Sequence, residues 1–134
     1  MAGSLSDYGE NKLLDYLCSS SAWADASAWF ALSLADPLDD NSGLVEPDDD
    51  GDYERSPVAA ADFGAAGAGS ITTVNPVAFC AADSDFSQVS HFVLMDTSTG
   101  AGNALFHGDL STARDVTGGD TVTFAAGKIT VTAT

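Results

Sequence analysis

From Ile71 onward the chain is cut into short apolar runs by Gly, Asp and Asn turns, a spacing that makes strands the dominant element. "ITTVNPVAFC" predicts two short strands, or one broken at Pro76, whose nitrogen cannot donate to a ladder. In "SQVSHFVLMDT" the residues Val89, His91, Val93 and Met95 alternate with Phe92 and Leu94, so the two sets are expected on opposite faces of one strand. "TSTGAGN" predicts a turn, "ALFHGDL" a strand, "DVTGGDT" a turn and "TVTFAA" a further strand. "AGK" then turns the chain into "KITVTAT". The alternation of Val122/Phe124 and Ile129/Val131 with threonine predicts a closing hairpin with one wet face.

The opening follows a different period. In "SLSDYGENKLLDYLCSS" Ser4 or Ser6 can cap a helix, and Asp7 and Glu10 stand in the first turn, where the helix dipole favours acids. Leu13, Leu14 and Leu17 form its apolar face with Tyr16 on the flank, while Gly9 costs some propensity. "SAWFALSL" (27–34) predicts a strand ending at Asp36-Pro37, and "AADFGAAGAGS" is too permissive for a regular element. One short N-terminal α-helix and seven or eight strands predict a mainly β chain. The expected architecture is a two-sheet β-sandwich, jelly-roll-like, in a single domain spanning 1–134. Within it, 1–20 is expected to be a helical arm, 36–56 an acidic loop and 57–134 the strand-rich part.

Twenty acids against four bases give a net charge of −16. Neutralising a nucleic-acid backbone takes clustered Lys and Arg, whereas Lys12, Arg55, Arg114 and Lys128 are scattered singly, so no nucleic-acid partner is expected. The same charge argues against an anionic membrane surface. The N-terminus lacks a basic segment followed by an apolar one, so no secretory signal is expected and synthesis in the cytoplasm is. Cys18 and Cys80 make neither a disulfide framework nor a C-x-x-C, and are expected as buried thiols.

Nine carboxylates concentrate between Asp36 and Ser56, beside a single base, Arg55. An EF-hand loop begun at Glu46 fails, because its twelfth position is Pro57, which carries no carboxylate. A looser cation site from Asp48, Asp50 and Asp52 is the weaker alternative to a solvated loop. His91 and His107 lie on strands with no G-x-S-x-G or H-E-x-x-H, and are read as structural. "GAAGAGS" lacks the Lys-Ser/Thr of a phosphate loop. Trp23, Trp29, Phe30 and Phe79 are expected to pack a core before they stack a sugar. Neither a catalytic residue nor a cofactor is expected.

Several stretches carry a resemblance: "LSDYGENKLLDYL" (5–17), "FALSLADP" (30–37), "SGLVEP", "GDYERSPV", "VSHFVLMDTSTGAGN", "LFHGDL" and "VTGGDTVTFAAGKITVT". Together they resemble a family of small tailed-phage virion proteins often called tail-fibre-like, over nearly the whole chain. The acidic insertion departs from the family's Gly and Ser there, and Asp52 interrupts its Gly-Tyr pair. The resemblance implies a non-enzymatic virion structural protein. Its size and charge favour a capsid decoration, or cement, protein on the outer shell, away from packaged DNA. The partners implied are the major capsid protein and further copies of the chain, as a homotrimer. Leu5, Tyr8, Leu13, Leu14 and Leu17 are the expected contacts. A tail fibre, collar or baseplate component is the alternative. A carbohydrate-binding module or glycan hydrolase is a third reading, for which no paired carboxylates are visible.

Overall fold

A computed structural model describes residues 2–19, 28–47 and 53–133. In chain order the elements are β1 (Ala2–Leu5), α1 (Asp7–Ser19), β2 (Ala28–Ser33), β3 (Ser56–Val58), β4 (Ser70–Thr72), β5 (Val77–Ala81), β6 (Ser87–Met95), β7 (Ala104–Val116), β8 (Thr121–Phe124) and β9 (Thr130–Thr132). The mainly β composition with one helix agrees with the sequence reading. The strands divide unevenly, however: a seven-stranded sheet runs β3-β2-β6-β7-β1-β9-β4, and a ribbon pairs β5 with β8. The β1–β9 pair is parallel, foreign to an all-antiparallel jelly roll.

The ribbon closes over one face of the large sheet because both carry large apolar side chains there. Phe30, Phe92 and Phe106, from the neighbouring strands β2, β6 and β7, meet edge to face with ring centroids 6.0–6.4 Å apart. Phe124 of the ribbon adds a contact to Phe92, and Phe79 a contact to Phe124, each at 6.2 Å. Each such ring contributes about 1.5–3 kcal/mol by burial, and each edge-to-face pair about 0.5–1.5 kcal/mol more. The opposite face of β2, β6 and β7 carries a smaller cluster, Ala31, Val93, Met95 and Ala104, capped by Leu44.

The expected hairpin between the last two strands does not form. β8 pairs with β5, while β9 pairs with β1 and β4. The "AGK" turn crosses between sheets, with Gly127 N–H donating to Thr73 O and Ile129 fully buried. The alternation is real, but it cannot say which strand lies alongside. Val89 joins the main core with Phe92 and not the His91 face. The register slips between Val89 and His91, where Ser90 of β6 faces 110–113 of β7. Such a wide bulge re-aims the side chains around it.

The N-terminal segment is not a free arm. β1, unforeseen in the sequence, lies between β7 and β9 inside the large sheet. Ser6 is the cap: its Oγ accepts from Gly9 N–H at 3.1 Å and itself donates to the Ala104 carbonyl. Gly9, a poor helix former, is there for space, since a Cβ would collide with the Leu105 carbonyl oxygen of β7. The Gly/Ala stretch is more ordered than expected. Gly67 and Ser70 exchange both backbone hydrogen bonds around Ala68 and Gly69, at φ 51° and 75°, as a tight hairpin requires. Cys18 is exposed and Cys80 half-buried, against the expected burial of both.

Candidate functional site

Arg55 is the anchor of the acidic segment. Only 7% exposed, it is fully occupied: Nε and Nη2 donate to the two Glu46 carboxylate oxygens at 2.8 and 2.7 Å. Nη1 donates to the Thr97 carbonyl and hydroxyl at 2.9 and 3.0 Å, and Nη2 also to Gly100 O at 2.8 Å. The hydrogen bonds to Glu46 outweigh burial, which acts the other way, and hold its pKa above the ordinary guanidinium value. Two loops are thereby fastened together. Nearby, Tyr53 accepts the Leu32 N–H on its hydroxyl at 2.8 Å and sets its ring against Phe86, and burial raises its phenol pKa.

Between Leu34 and Glu46 the chain is therefore a built loop and not only a solvated one. Leu34 N–H donates to Val45 O at 2.8 Å, and Pro37 and Pro47 are buried. Asp36 accepts Leu38 N–H and Asp40 accepts Ser42 N–H, each at 3.0 Å. The Ser42 hydrogen bonds lower the Asp40 pKa. The result holds Leu38 at φ 62° and 48% exposed, beside Val45 at 47%. A branched apolar side chain at positive φ is strained, and the loop bonds fix it facing outward. Asp48, Asp50 and Asp52, the candidate cation ligands, lie outside the described residues. Among those that are described, no group of three or more His, Cys, Asp or Glu could hold a metal ion.

Each histidine finds a carboxylate across a strand or loop. His91 Nε2 lies 2.9 Å from Asp109 Oδ1, and its Nδ1 lies 2.7 Å from Ser90 Oγ. His107 Nε2 lies 3.1 Å from Asp39 Oδ1, which ties the acidic loop to β7. Ser90, His91 and Asp109 form a hydroxyl–imidazole–carboxylate line, but the carboxylate is 85% exposed. In a hydrolytic triad the orienting acid is buried. Asp109 was near at hand in sequence; Asp39 was not, being 68 residues from its partner.

The feature that the sequence concealed is a groove of about 470 Å³ at the bulge of β7. β1 pairs with β7 around Phe106 and His107, and the groove lies further along β7, at Leu110, Ser111 and Thr112. Val89, Val116 and Phe124 form the apolar floor; Ser111, Thr112 and Thr123 supply hydroxyls. Arg114 and Lys128 both line it, and among the described residues no acidic side chain does. Two of the chain's four bases therefore lie along this groove, while Lys12 sits 5.5 Å over the Tyr8 ring and Arg55 is enclosed.

Of the expected contact residues, Leu5 and Tyr8 pack partly against the main core, and Leu13 is half-buried. The side chains of Leu14 and Leu17 lie outside the description, as does Trp23. Phe30 and Phe79 are core residues, as expected, and Trp29 is half-buried. No described helix is long and apolar enough to cross a membrane.

A family model described as "Podophage GP4 fiber I protein gp80" matches residues 4–132. The chain belongs to this family. That agrees with the resemblance read from the N-terminal helix and the C-terminal strands, and makes it a member of a phage fibre or structural protein family. No curated protein matches the chain. The two ends of the match fall in the two strands that pair in parallel, β1 and β9, so the family's pattern reaches every strand of the large sheet.

Proposed function

We propose that the chain is a non-enzymatic structural subunit of a phage virion, and that its place is in a fibre or tail assembly. The observation carrying this is the family match along 4–132, whose description names a fibre protein. The side-chain chemistry supports it. The described histidines serve exposed carboxylates, and the largest buried cluster is aromatic and aliphatic. Binding energy would then come from shape and apolar contact, through copies of the chain and neighbouring virion proteins. Decoration of the outer capsid, gripping the major capsid protein, is the second reading, favoured by the −16 charge, which packaged DNA would repel.

Antibody labelling of intact virions, with quantitative mass spectrometry of their copy number, tests the placement. Label on the tail and a copy number matching tail symmetry are expected. Label spread over the head, at a copy number matching the capsomers, would replace the fibre reading with decoration. Absence from virions would sink both, and turnover of host-surface glycan by the purified chain would sink the non-enzymatic claim.

A further inference from the structure

The 34–47 loop lies across the smaller apolar cluster as a strap. Its ends are tied: Leu34 N–H donates to Val45 O at 2.8 Å, and Glu46 is held by Arg55. Leu44 packs onto the cluster of Ala31, Val93, Met95 and Ala104. The middle is held less firmly. Asp39 reaches His107 at 3.1 Å, and its carbonyl accepts the Asp7 N–H at 3.1 Å. Asn41 Nδ2 meets Gly102 O only at 3.5 Å, while its Oδ1 is buried without a donor. A buried acceptor left unpaired weakens the seating of the segment that carries it.

The same middle is loaded with like charge. Asp36, Asp39 and Asp40 stand exposed within five residues, and Asp7, also exposed, is held against them through its backbone. Asp36 and Asp40 accept from N–H groups of their own turns, and Asp39 pairs with an imidazole. Among the described residues, no Lys or Arg bonds to any of the three. Repulsion between exposed carboxylates acts over about 30 Å in 0.01 M salt but only about 8 Å at 0.15 M. We propose that the 36–44 strap is a cover sensitive to ionic strength. Screened, it seats Leu44 on the apolar cluster; unscreened, its middle lifts and uncovers Ala31, Val93 and Met95. The main core, on the other face of the same strands, stays folded throughout. Apolar contact and charge repulsion oppose each other on one short segment, and salt weakens the repulsion far more than the contact. The device lies within one chain, so it stands or falls separately from the place of the chain in a virion.

The test compares the full chain in about 0.01 M and about 0.15 M NaCl, at one pH and with chelator present. Two readouts report the strap: hydrogen exchange of the Asp7 amide, whose acceptor is the strap's Asp39 carbonyl, and the fluorescence of Nile red, an uncharged dye. In the lower salt the Asp7 amide is expected to exchange about tenfold faster and the dye signal to rise, with exchange in β6 unchanged. Choline chloride is expected to protect as well as NaCl. Asp40→Asn keeps an oxygen for the Ser42 N–H and removes one charge, so it is expected to recover much of the protection in low salt. Asp115→Asn removes one charge at the far end of β7 from His107 and is expected to recover less. Equal exchange and equal dye signal at the two salt concentrations overturn the proposal. So does protection by sodium alone, which means a bound cation. Exchange in β6 that rises together with Asp7 means loss of the whole fold, and equal rescue by Asp115→Asn means net charge alone; either result overturns the strap.

Discussion

Arg55 shows how one residue can decide the state of a whole segment. A guanidinium is always charged, and its planar fork matches a carboxylate in two parallel hydrogen bonds. Here the fork takes Glu46 and spends its remaining donors on Thr97 and Gly100, leaving nothing unsatisfied. Arg55→Met would keep the bulk but strand the half-buried Glu46 carboxylate and two carbonyls. The expected loss is about 3 kcal/mol, read from denaturant midpoints. Arg55→Lys should recover only part of it, because an ammonium cannot bond both Glu46 oxygens and both loop carbonyls at once. A loss within measurement error for Arg55→Met would show that the pair is ornamental. A lone base inside nine carboxylates was a visible hint that it had an internal partner, yet Thr97 and Gly100 lie more than forty positions away. Gly9 carries the complementary lesson: propensity counts it as a weakness of α1, whereas the Leu105 carbonyl makes it the residue that lets α1 approach β7.

At the scale of the elements, local pattern predicted type far better than partner. β2, β6 and β9 fall where alternation and turn residues put them, because a half-buried strand must alternate. The sequence pattern does not predict β1, since "AGSL" is short and small and its register with β7 and β9 comes from the far end of the chain. Its position changes what the N-terminus does. Among the described strands, β1 alone links the β9–β4 edge to the rest of the large sheet. Removing residues 1–6 should therefore broaden the unfolding transition and expose Ile129 and Val131, not merely free an arm. Circular dichroism melts with dye binding check it; a truncated chain that melts as sharply and as late as the full one would contradict this sheet order. Likewise the sequence pattern predicts the long β7 only as far as Leu110, because Ser111, Thr112 and Ala113 lack the apolar alternation that a bulge makes unnecessary.

For the molecule as a whole, charge was legible and its placement was not. The surplus of acids forecasts solubility and repulsion between copies at low salt. Whether Asp48, Asp50 and Asp52 hold a cation is a property of the whole loop, because hard cations need several oxygens at once. The neighbouring 34–47 segment is fastened by Arg55, Asp39 and its own turns. Adding chelator should move the melting temperature by no more than about 2 °C, whereas a 1 kcal/mol loss in a chain this size would move it by roughly 4 °C. A fall well beyond that would establish a structural cation at the aspartates.

The amino-acid sequence by itself determined the mainly β character, the single helix and its cap, and the aromatic content of the core. It also carried the family, whose pattern runs along the chain. Those are properties of neighbours in sequence, where backbone period and side-chain type act directly. Only the tertiary structure decided that β8 and β9 part company, that β1 joins the sheet, and that Arg114 and Lys128 share a groove across fourteen positions. Strand pairing and surface convergence depend on which distant segments bury each other's apolar faces, and many sequences of the same alternation would satisfy several such arrangements. Packing selects one of them.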